Sequence, residues 1–491
     1  MAEVLLTRLY PALLCALLAS WLALLPSALG RLRRRLALAR PRTASLLLLL
    51  VLGGLALRAA VVRPARLVYD DEFEQLDAAR HLAAGGVYAE TLAGGLPGFD
   101  VLAPATWPAG HPVALAAIFR LFGNSGTFVA EAWSALLSAL IALWIFWAAL
   151  ELFGDERGAL AAAFIWAVSP LALRYSGAVD TSTPSLFWCA AAFAALSARE
   201  SEPSPALDAF AAVSLAYAVQ VRFENALLIA YALFAVKRRA LVVPAALGLV
   251  FPAAIVWANH AGGLPGFAAA TFAPWPNFLR QAPSNAAFFA APAALGLLAA
   301  PAAAASLGRA PARRLFLLAA ALFVVYSCYY HGEFRRDTDD RYYLAVLLPL
   351  SLAAAPALAS AALPAVLLTA GLAWRLAPGA DPAHEAARRF LADSAPLLPG
   401  TSYVVTFNPS FVREISGRPA VWSPLLLEDA AAFDRGRTLV RSSPDLVLYK
   451  DWTWRERPED AANMENALRG RYEAKVLASD GVDSLVLMTP K

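Results

Sequence analysis

The feature that most limits what this chain can become is a succession of long apolar runs, each broken by arginine, proline or acidic residues. A bilayer core about 30 Å thick is crossed by about 20 apolar residues of helix, and helix is the form that hides the backbone from lipid. Runs of that kind predict spans at about 4–29, 44–62, 125–152, 159–174, 185–198, 206–221, 225–236, 240–258, 286–307, 315–330, 344–358 and 361–376. The expectation is a mainly α, polytopic membrane protein with about 11–13 transmembrane helices. Composition agrees: 59% of the residues are hydrophobic and 16% charged, against roughly a quarter charged in soluble domains.

Charge is not spread evenly. Of the 78 charged residues, 30 fall in positions 380–491, which predicts two domains: 1–379 in the membrane, including an outer loop at 63–111, and a small α/β domain at 380–491. Strand character at Ser402–Phe407, Leu446–Tyr449, Tyr472–Ala478 and Leu485–Met488, with helical character at Pro382–Asp393 and Glu459–Arg469, supports the second. Cys15, Cys189 and Cys328 lie far apart inside apolar runs, which argues against disulfides and cysteine metal sites.

Three basic clusters set the orientation: Arg31, Arg33, Arg34, Arg35, Arg40 and Arg42; then Lys237, Arg238 and Arg239; then Arg309, Arg313 and Arg314. If the spans alternate, all three fall on one side, and the positive-inside rule makes that side cytoplasmic. The basic excess therefore serves orientation, and no nucleic-acid partner is expected. The acids give the complement. Of the 21 before position 380, seven lie in Asp70–Asp100 and four in Glu333–Asp340, while Asp180 and Glu224 stand on outer turns. Chemistry is expected on the outer, periplasmic face of a bacterial inner membrane, with the tail domain on the same side.

The stretch Tyr69-Asp70-Asp71-Glu72-Phe73-Glu74-Gln75-Leu76-Asp77-Ala78-Ala79-Arg80-His81-Leu82 follows the second span directly. Phe73, Leu76, Ala79, Leu82 and Ala83 recur at three- and four-residue steps, predicting an amphipathic helix along the membrane surface, its acidic face toward water or a cavity. Asp70 and Asp71 stand where carboxylates cap free amides. The plain alternative is that these acids only cap and solvate a surface helix.

Their context resembles the first outer loop of the GT-C glycosyltransferases, enzymes that take a sugar from a polyprenyl-phosphate carrier. Asp71-Glu72 is followed by Ala79-Arg80-His81-Leu82 and then Gly85-Gly86-Val87-Tyr88; Trp107-Pro108-Ala109-Gly110-His111-Pro112 runs into Ala117–Gly123. Ser169-Pro170-Leu171 with Tyr175, Asp180 and Pro184, the hairpin Arg222-Phe223-Glu224-Asn225, and Arg341-Tyr342-Tyr343 through Pro349 follow in the family's order. The branch it resembles most contains protein O-mannosyltransferases and lipid A aminoarabinose transferases. His111 departs from it, standing where many relatives have proline, and so does the first span, which the usual plan with an inside N-terminus lacks.

The resemblance implies a hexosyl or pentosyl transferase that passes sugar to a lipid, glycan or protein acceptor with inversion. Phosphate is already a competent leaving group, so the protein must deprotonate the acceptor and stabilise an anion. The implied base is Asp71, with Glu72 or Asp70 next. Arginine suits the phosphate through bidentate hydrogen bonds; Arg341 carries the resemblance, and Arg222, Arg336, Arg335 and Arg174 are further candidates that could instead be interfacial. Arg222 and Glu224 could also form a structural ion pair. Asp180, His111, Trp107, Glu224, Tyr342 and His331 are the expected substrate contacts. His81 or His331 could join Asp77 or Glu333 on a divalent metal, yet lone histidines are more often structural, and no cofactor is expected. Motifs for nucleotide-driven chemistry are absent from the sequence. A multi-span transporter or flippase of lipid-linked sugars is the alternative, though its charges should lie near the midplane. A polymerase or ligase would carry its main loop late in the chain.

Overall fold

The computed structural model describes residues 5–61, 70–96, 99–104, 108–234, 274–329, 332–335, 339–375, 382–400, 402–423, 446–456, 458–470 and 472–491. In chain order the main elements are α1 (Tyr10–Leu38), α2 (Pro41–Val61), α3 (Asp70–Gly85), β1 (Ala89–Leu96), β2 (Phe99–Pro104), α4 (Gly110–Phe122), α5 (Thr127–Phe153), α6 (Glu156–Val168) and α7 (Pro170–Arg174). Then come α8 (Ser182–Ser201), α9 (Pro205–Val221), α10 (Ala226–Phe234), α11 (Pro274–Phe288), α12 (Gly296–Ala305), α13 (Ala310–Cys328) and α14 (Tyr343–Arg375). The tail holds α15 (Pro382–Ser394), β3 (Tyr403–Thr406), α16 (Pro409–Ser416), β4 (Ala420–Trp422), β5 (Leu446–Lys450), α17 (Trp452–Glu456), α18 (Pro458–Arg469), β6 (Tyr472–Ser479) and β7 (Ser484–Pro490).

Two compact units result, Met1–Arg66 with Thr106–Gly379, and Leu67–Ala105 with Ala380–Lys491. Of the expected outer loop 63–111, Leu67–Ala105 clusters with the tail and the rest with the helices. The reason is hydrogen bonding: β1 pairs antiparallel with both β2 and β4, so the hairpin extends the tail's sheet. The strand order is β2-β1-β4-β3-β5-β7-β6, with β3 parallel to β4 and β5 and every other pairing antiparallel.

In the helical unit, five described helices are long and apolar enough to cross a membrane: Thr7–Leu38, Pro41–Ala60, Thr127–Phe153, Ala310–Cys328 and Asp340–Ala361. The expected span at 240–258 lies outside the described residues. Spans 344–358 and 361–376 are one helix, α14, kinked at the non-helical Ala361; Pro364 lies three residues on, where its ring crowds the preceding turn. The expected span 286–307 is broken instead, between α11 and α12, by the stretch 289–295. α1 is seated by buried bonds from its aromatic residues. Tyr10 Oη donates to Gln220 Oε1 at 2.7 Å and Trp21 Nε1 to Ser214 Oγ at 2.9 Å, while Trp21 meets Trp188 and Phe210 at 4.8 and 5.2 Å between ring centroids.

Charge sorts to the ends. Arg31 and Arg35 of α1 converge on Glu151 at the end of α5, at 3.3 and 3.1 Å, and Arg31 also pairs with Glu202 just past α8. Arg314 joins Glu200 of α8 at 3.0 Å. The first and third basic clusters therefore share one end of the bundle; the second lies outside the described residues. At the other end of α8, whose 20 residues span about 30 Å, stands Asp180.

α6 and α14 approach closely because position 158 is glycine: a Cβ there would overlap the Ala355 carbonyl of α14. Gly158→Val is expected to cost about 1–3 kcal/mol by overpacking, read as a lowered thermal midpoint of the purified protein; an unchanged midpoint would mean the contact is slack.

In the sheet unit, α18 packs on one face through Met464 and Leu468 against Val405, Leu448 and Val486. At the carboxyl end of β5, Asp451 is buried, accepting from Asn408 Nδ2 and the Thr453 amide, both at 2.9 Å, and from Thr406 Oγ1 at 3.3 Å. Burial pushes its carboxyl up from 3.8 to about 6, an effect these hydrogen bonds only partly offset. The folded state then binds more protons than the unfolded chain across that interval. This contribution to stability is full below pH about 4 and lost as pH rises through about 6, some 3 kcal/mol over two units. Asp451→Asn should flatten the fall in stability between pH 4 and 6, followed by tryptophan fluorescence of the full chain; an unaltered slope would contradict it.

Candidate functional site

The helix ends remote from the Arg31–Glu151 pair carry three arginine–carboxylate pairs within the helical unit. Arg341 Nη1 lies 3.1 Å from Asp180 Oδ2, Arg222 Nη2 3.2 Å from Glu224 Oε1, and Arg174 Nη1 3.0 Å from Asp340 Oδ2. Each has a local cause. Asp180 precedes α8 and takes the Ser182 amide on Oδ1 at 3.0 Å, the usual work of a residue at a helix start. Arg222 sits where α9 ends in extended backbone and turns through Phe223–Asn225. Arg341 ends the turn Asp339–Tyr342 that leads into α14.

Ser182 joins two of the pairs. Its Oγ donates to Asp180 Oδ2 at 2.8 Å and accepts from Arg222 Nη1 at 3.1 Å. Tyr342 joins them again, its ring 4.8 Å from the Arg222 guanidinium carbon and 5.4 Å from that of Arg341. Tyr326 stacks on Tyr342 at 5.2 Å and Tyr329 meets its edge at 6.1 Å. Tyr175 Oη donates to Asp340, closing the third pair. The Nε of Arg222 is buried and has no hydrogen-bond partner among the described residues. Such a cluster, aromatic and rich in planar donors, can bind a phosphate oxygen bidentately.

Of the expected phosphate and substrate residues, Arg341, Arg222, Asp180, Glu224 and Tyr342 come together here. His111 is fully buried at the start of α4, its Nε2 donating to the Val179 carbonyl at 3.0 Å, which fixes the proton on Nε2. That bond sets it one residue from Asp180. Its Nδ1 is buried without a partner among the described residues. Trp107, Arg336 and His331 lie outside the described residues. Sequence reasoning missed Ser182 and Tyr326, and gave Asp340 no role. The two-residue spacing Asp180-x-Ser182 ahead of an apolar helix was the one legible sign of the first.

The acidic loop belongs to the sheet unit and is welded there. α3 ends at Gly86, whose φ of +67° suits glycine and whose amide reaches the Leu82 carbonyl at 3.0 Å. Arg80 pairs with Glu414 at 2.6 Å and Asp77 with Arg413 at 3.0 Å, while Phe73 packs edge-on against Phe411 at 5.1 Å. The expectation of an acidic face turned wholly to water or a cavity is thereby corrected, since opposite charge on α16 claims part of it. Asp77 also accepts the Thr91 amide at 2.7 Å and His81 Nε2 contacts Thr91 Oγ1 at 2.7 Å, so both have protein partners. Among the described residues no group of three or more His, Cys, Asp or Glu converges as metal ligands would. Asp71 is half-buried and Glu72 is 1% exposed; the side chain of Asp70 is outside the described set.

Comparison with known proteins follows this geometry. Residues 107–261, which contain Asp180, Ser182, Arg222 and Glu224, match the family described as dolichyl-phosphate-mannose-protein mannosyltransferase. The fold resembles that of ArnT from Cupriavidus metallidurans bound to undecaprenyl phosphate, with a TM-score of 0.60 and 14% identity over 90% of this chain and 97% of that one. It also resembles the oligosaccharyltransferase AglB from Archaeoglobus fulgidus in complex with an inhibitory peptide and a dolichol-phosphate, with a TM-score of 0.52 and 13% identity over 91% and 74% of the two chains. A search of curated protein sequences yields no match. The fold is that of the GT-C glycosyltransferases. The family match spans residues 107–261, and the likeness to the solved structures is one of fold.

The paired geometry makes a prediction about stability as well as binding. Removing one partner of a buried ion pair strands the other charge, at a cost of about 3–5 kcal/mol. Asp180→Ala should therefore lower the thermal midpoint more than the double variant Asp180→Ala, Arg341→Gln; equal losses would show that the pair is not coupled.

Proposed function

We propose that this protein is a membrane glycosyltransferase that takes a sugar from a polyprenyl-phosphate carrier and passes it, with inversion, to a lipid, glycan or protein acceptor on the periplasmic face of a bacterial inner membrane. The observation that carries this reading is the cluster of Arg222, Arg341, Ser182 and Tyr342 at one end of a GT-C bundle. Solved structures of that fold include one bound to undecaprenyl phosphate and one to a dolichol-phosphate. The side of the membrane is assigned from the basic clusters, which share the opposite end of α8 from Asp180.

In this reading the arginines hold the phosphate as the bond to the anomeric carbon lengthens, and the developing charge is met by fixed donors. The acceptor attacks from the opposite side and loses its proton to a carboxylate. Asp71 is assigned that role on the family resemblance, and its partial exposure favours it over Glu72, which is 1% exposed. A general acid is not needed, because phosphate leaves unaided. The fold match favours this over a transporter of lipid-linked sugars.

Two variants test it in proteoliposomes supplied with donor. Asp71→Asn should abolish transfer, by at least about 10²-fold, while folding and donor binding persist; full turnover would remove it as base. Arg341→Ala should raise the donor KM by about tenfold or more, the loss of a charge-assisted contact; an unchanged KM would take it out of the phosphate site.

A further inference from the structure

α11 carries three buried amide side chains at four-residue steps, Asn277, Gln281 and Asn285, so that they line one face of the helix. All three point at the same target, the chain just after α13. Asn277 Nδ2 donates to the Cys328 carbonyl at 3.1 Å and Gln281 Nε2 to the Tyr329 carbonyl at 2.9 Å. Asn285 Nδ2 donates to the Gly332 carbonyl at 2.8 Å and to Ser327 Oγ at 3.0 Å, while its Oδ1 accepts the Phe334 amide at 2.7 Å. Next to Asn285, Ser284 Oγ donates to Glu333 Oε1 at 2.9 Å.

The last carbonyls of a helix have no partner within it and must find one elsewhere. Here side-chain amides from a different helix supply them at Cys328 and Tyr329, and Asn285 adds bonds to Gly332 and Phe334. The Asn285 amide, with donor and acceptor both matched to this segment, is a specific device, since displacing the segment would leave those polar atoms unmet. Gly332 shows how tightly the loop is folded: a Cβ there would overlap the Tyr326 carbonyl.

What this ladder holds is the aromatic side of the arginine cluster. Tyr326 and Tyr329 bracket the first rung, and both touch Tyr342, whose ring lies beside Arg222 and Arg341. Phe334, at the last rung, is fully buried and packs on Phe288 and Tyr343 at 6.0 and 5.7 Å. Bonds at Ser327, Cys328, Tyr329, Gly332 and Phe334 thus brace the rings that pack on Tyr342 and Tyr343.

We infer that Gln281 and Asn285 are positioning residues, whose amides hold the backbone after Cys328 so that Tyr326 and Tyr342 form the wall of the phosphate-binding arginines. They touch neither arginine. Their effect on the donor runs through the tyrosines, and in that respect the inference rests on the reading of the cluster as a phosphate site.

The test uses the full chain in nanodiscs. Hydrogen exchange of the ligand-free protein comes first: Asn285→Ala should speed exchange both in 327–334 and in the segment bearing Arg341, Tyr342 and Tyr343. Unchanged exchange at 341–343 overturns the positioning role whatever the donor proves to be. Binding of undecaprenyl phosphate comes second. Asn285→Ala and Gln281→Ala should each weaken it by about tenfold, as expected for a lost buried hydrogen bond passed to the site. In turnover the donor KM should rise by that factor, with the acceptor KM unmoved. Gly332→Ala, which leaves every amide in place, should give the same split. Equal loss of donor and acceptor affinity, or wild-type donor affinity in both amide variants, overturns the inference. If the wild-type protein does not bind undecaprenyl phosphate, the functional reading fails instead, and the exchange measurement alone decides the ladder.

Discussion

The described ion pairs of the helical unit answer to one constraint: a guanidinium or carboxylate withdrawn from water must meet a partner or leave the membrane region. The protein meets it by sorting. Arg31, Arg35, Glu151, Glu202, Glu200 and Arg314 form pairs at one end of the bundle; Arg174, Asp340, Asp180, Arg341, Arg222 and Glu224 form pairs at the other. Arg58 is the exception that obeys the rule by other means. It is fully buried in α2 and donates to Ser138 Oγ at 2.8 Å, to the Gly54 carbonyl at 3.0 Å and to the Ala167 carbonyl at 2.9 Å, the last at the end of α6. A cation there caps a helix C-terminus, where the backbone's own dipole is negative.

Sorting is also why so much was legible before the fold was known. Long apolar runs report spans because lipid leaves the backbone no alternative, and the ends of α2, α5 and α13 fall within a few residues of expectation. Asp180, Arg222 and Arg341 were singled out by the family resemblance, and each stands at a helix boundary. What escaped was whatever depends on partners distant in sequence. β4 is only three residues long and β1 carries two adjacent glycines, so neither has strand character of its own in the sequence; their pairing makes them strands. Most of α11 lies outside the expected spans, and its buried amides make sense only opposite the backbone at the end of α13. The acidic helix α3 was read as facing water because Arg413 and Glu414, which claim its charges, lie more than 300 residues away.

The same pairing shapes how an anion would be received. In each of the three described pairs a guanidinium already engages a carboxylate, so an anion entering there would have to share or displace contacts already made. Arginine permits that, because its five donors lie in one plane and a carboxylate engages only one or two of them. Arg222 gives one Nη to Ser182 and the other to Glu224, while its buried Nε has no hydrogen-bond partner among the described residues. The carboxylates hold the guanidinium groups extended and partly dehydrated in advance, so that much of the ordering and desolvation is met before a ligand arrives. Replacing them by neutral groups would free the arginines to snorkel toward water, and the cluster would become more basic yet worse organised. Pairing of this kind would favour a ligand whose oxygens match the forks of Arg222 and Arg341 beside Tyr342.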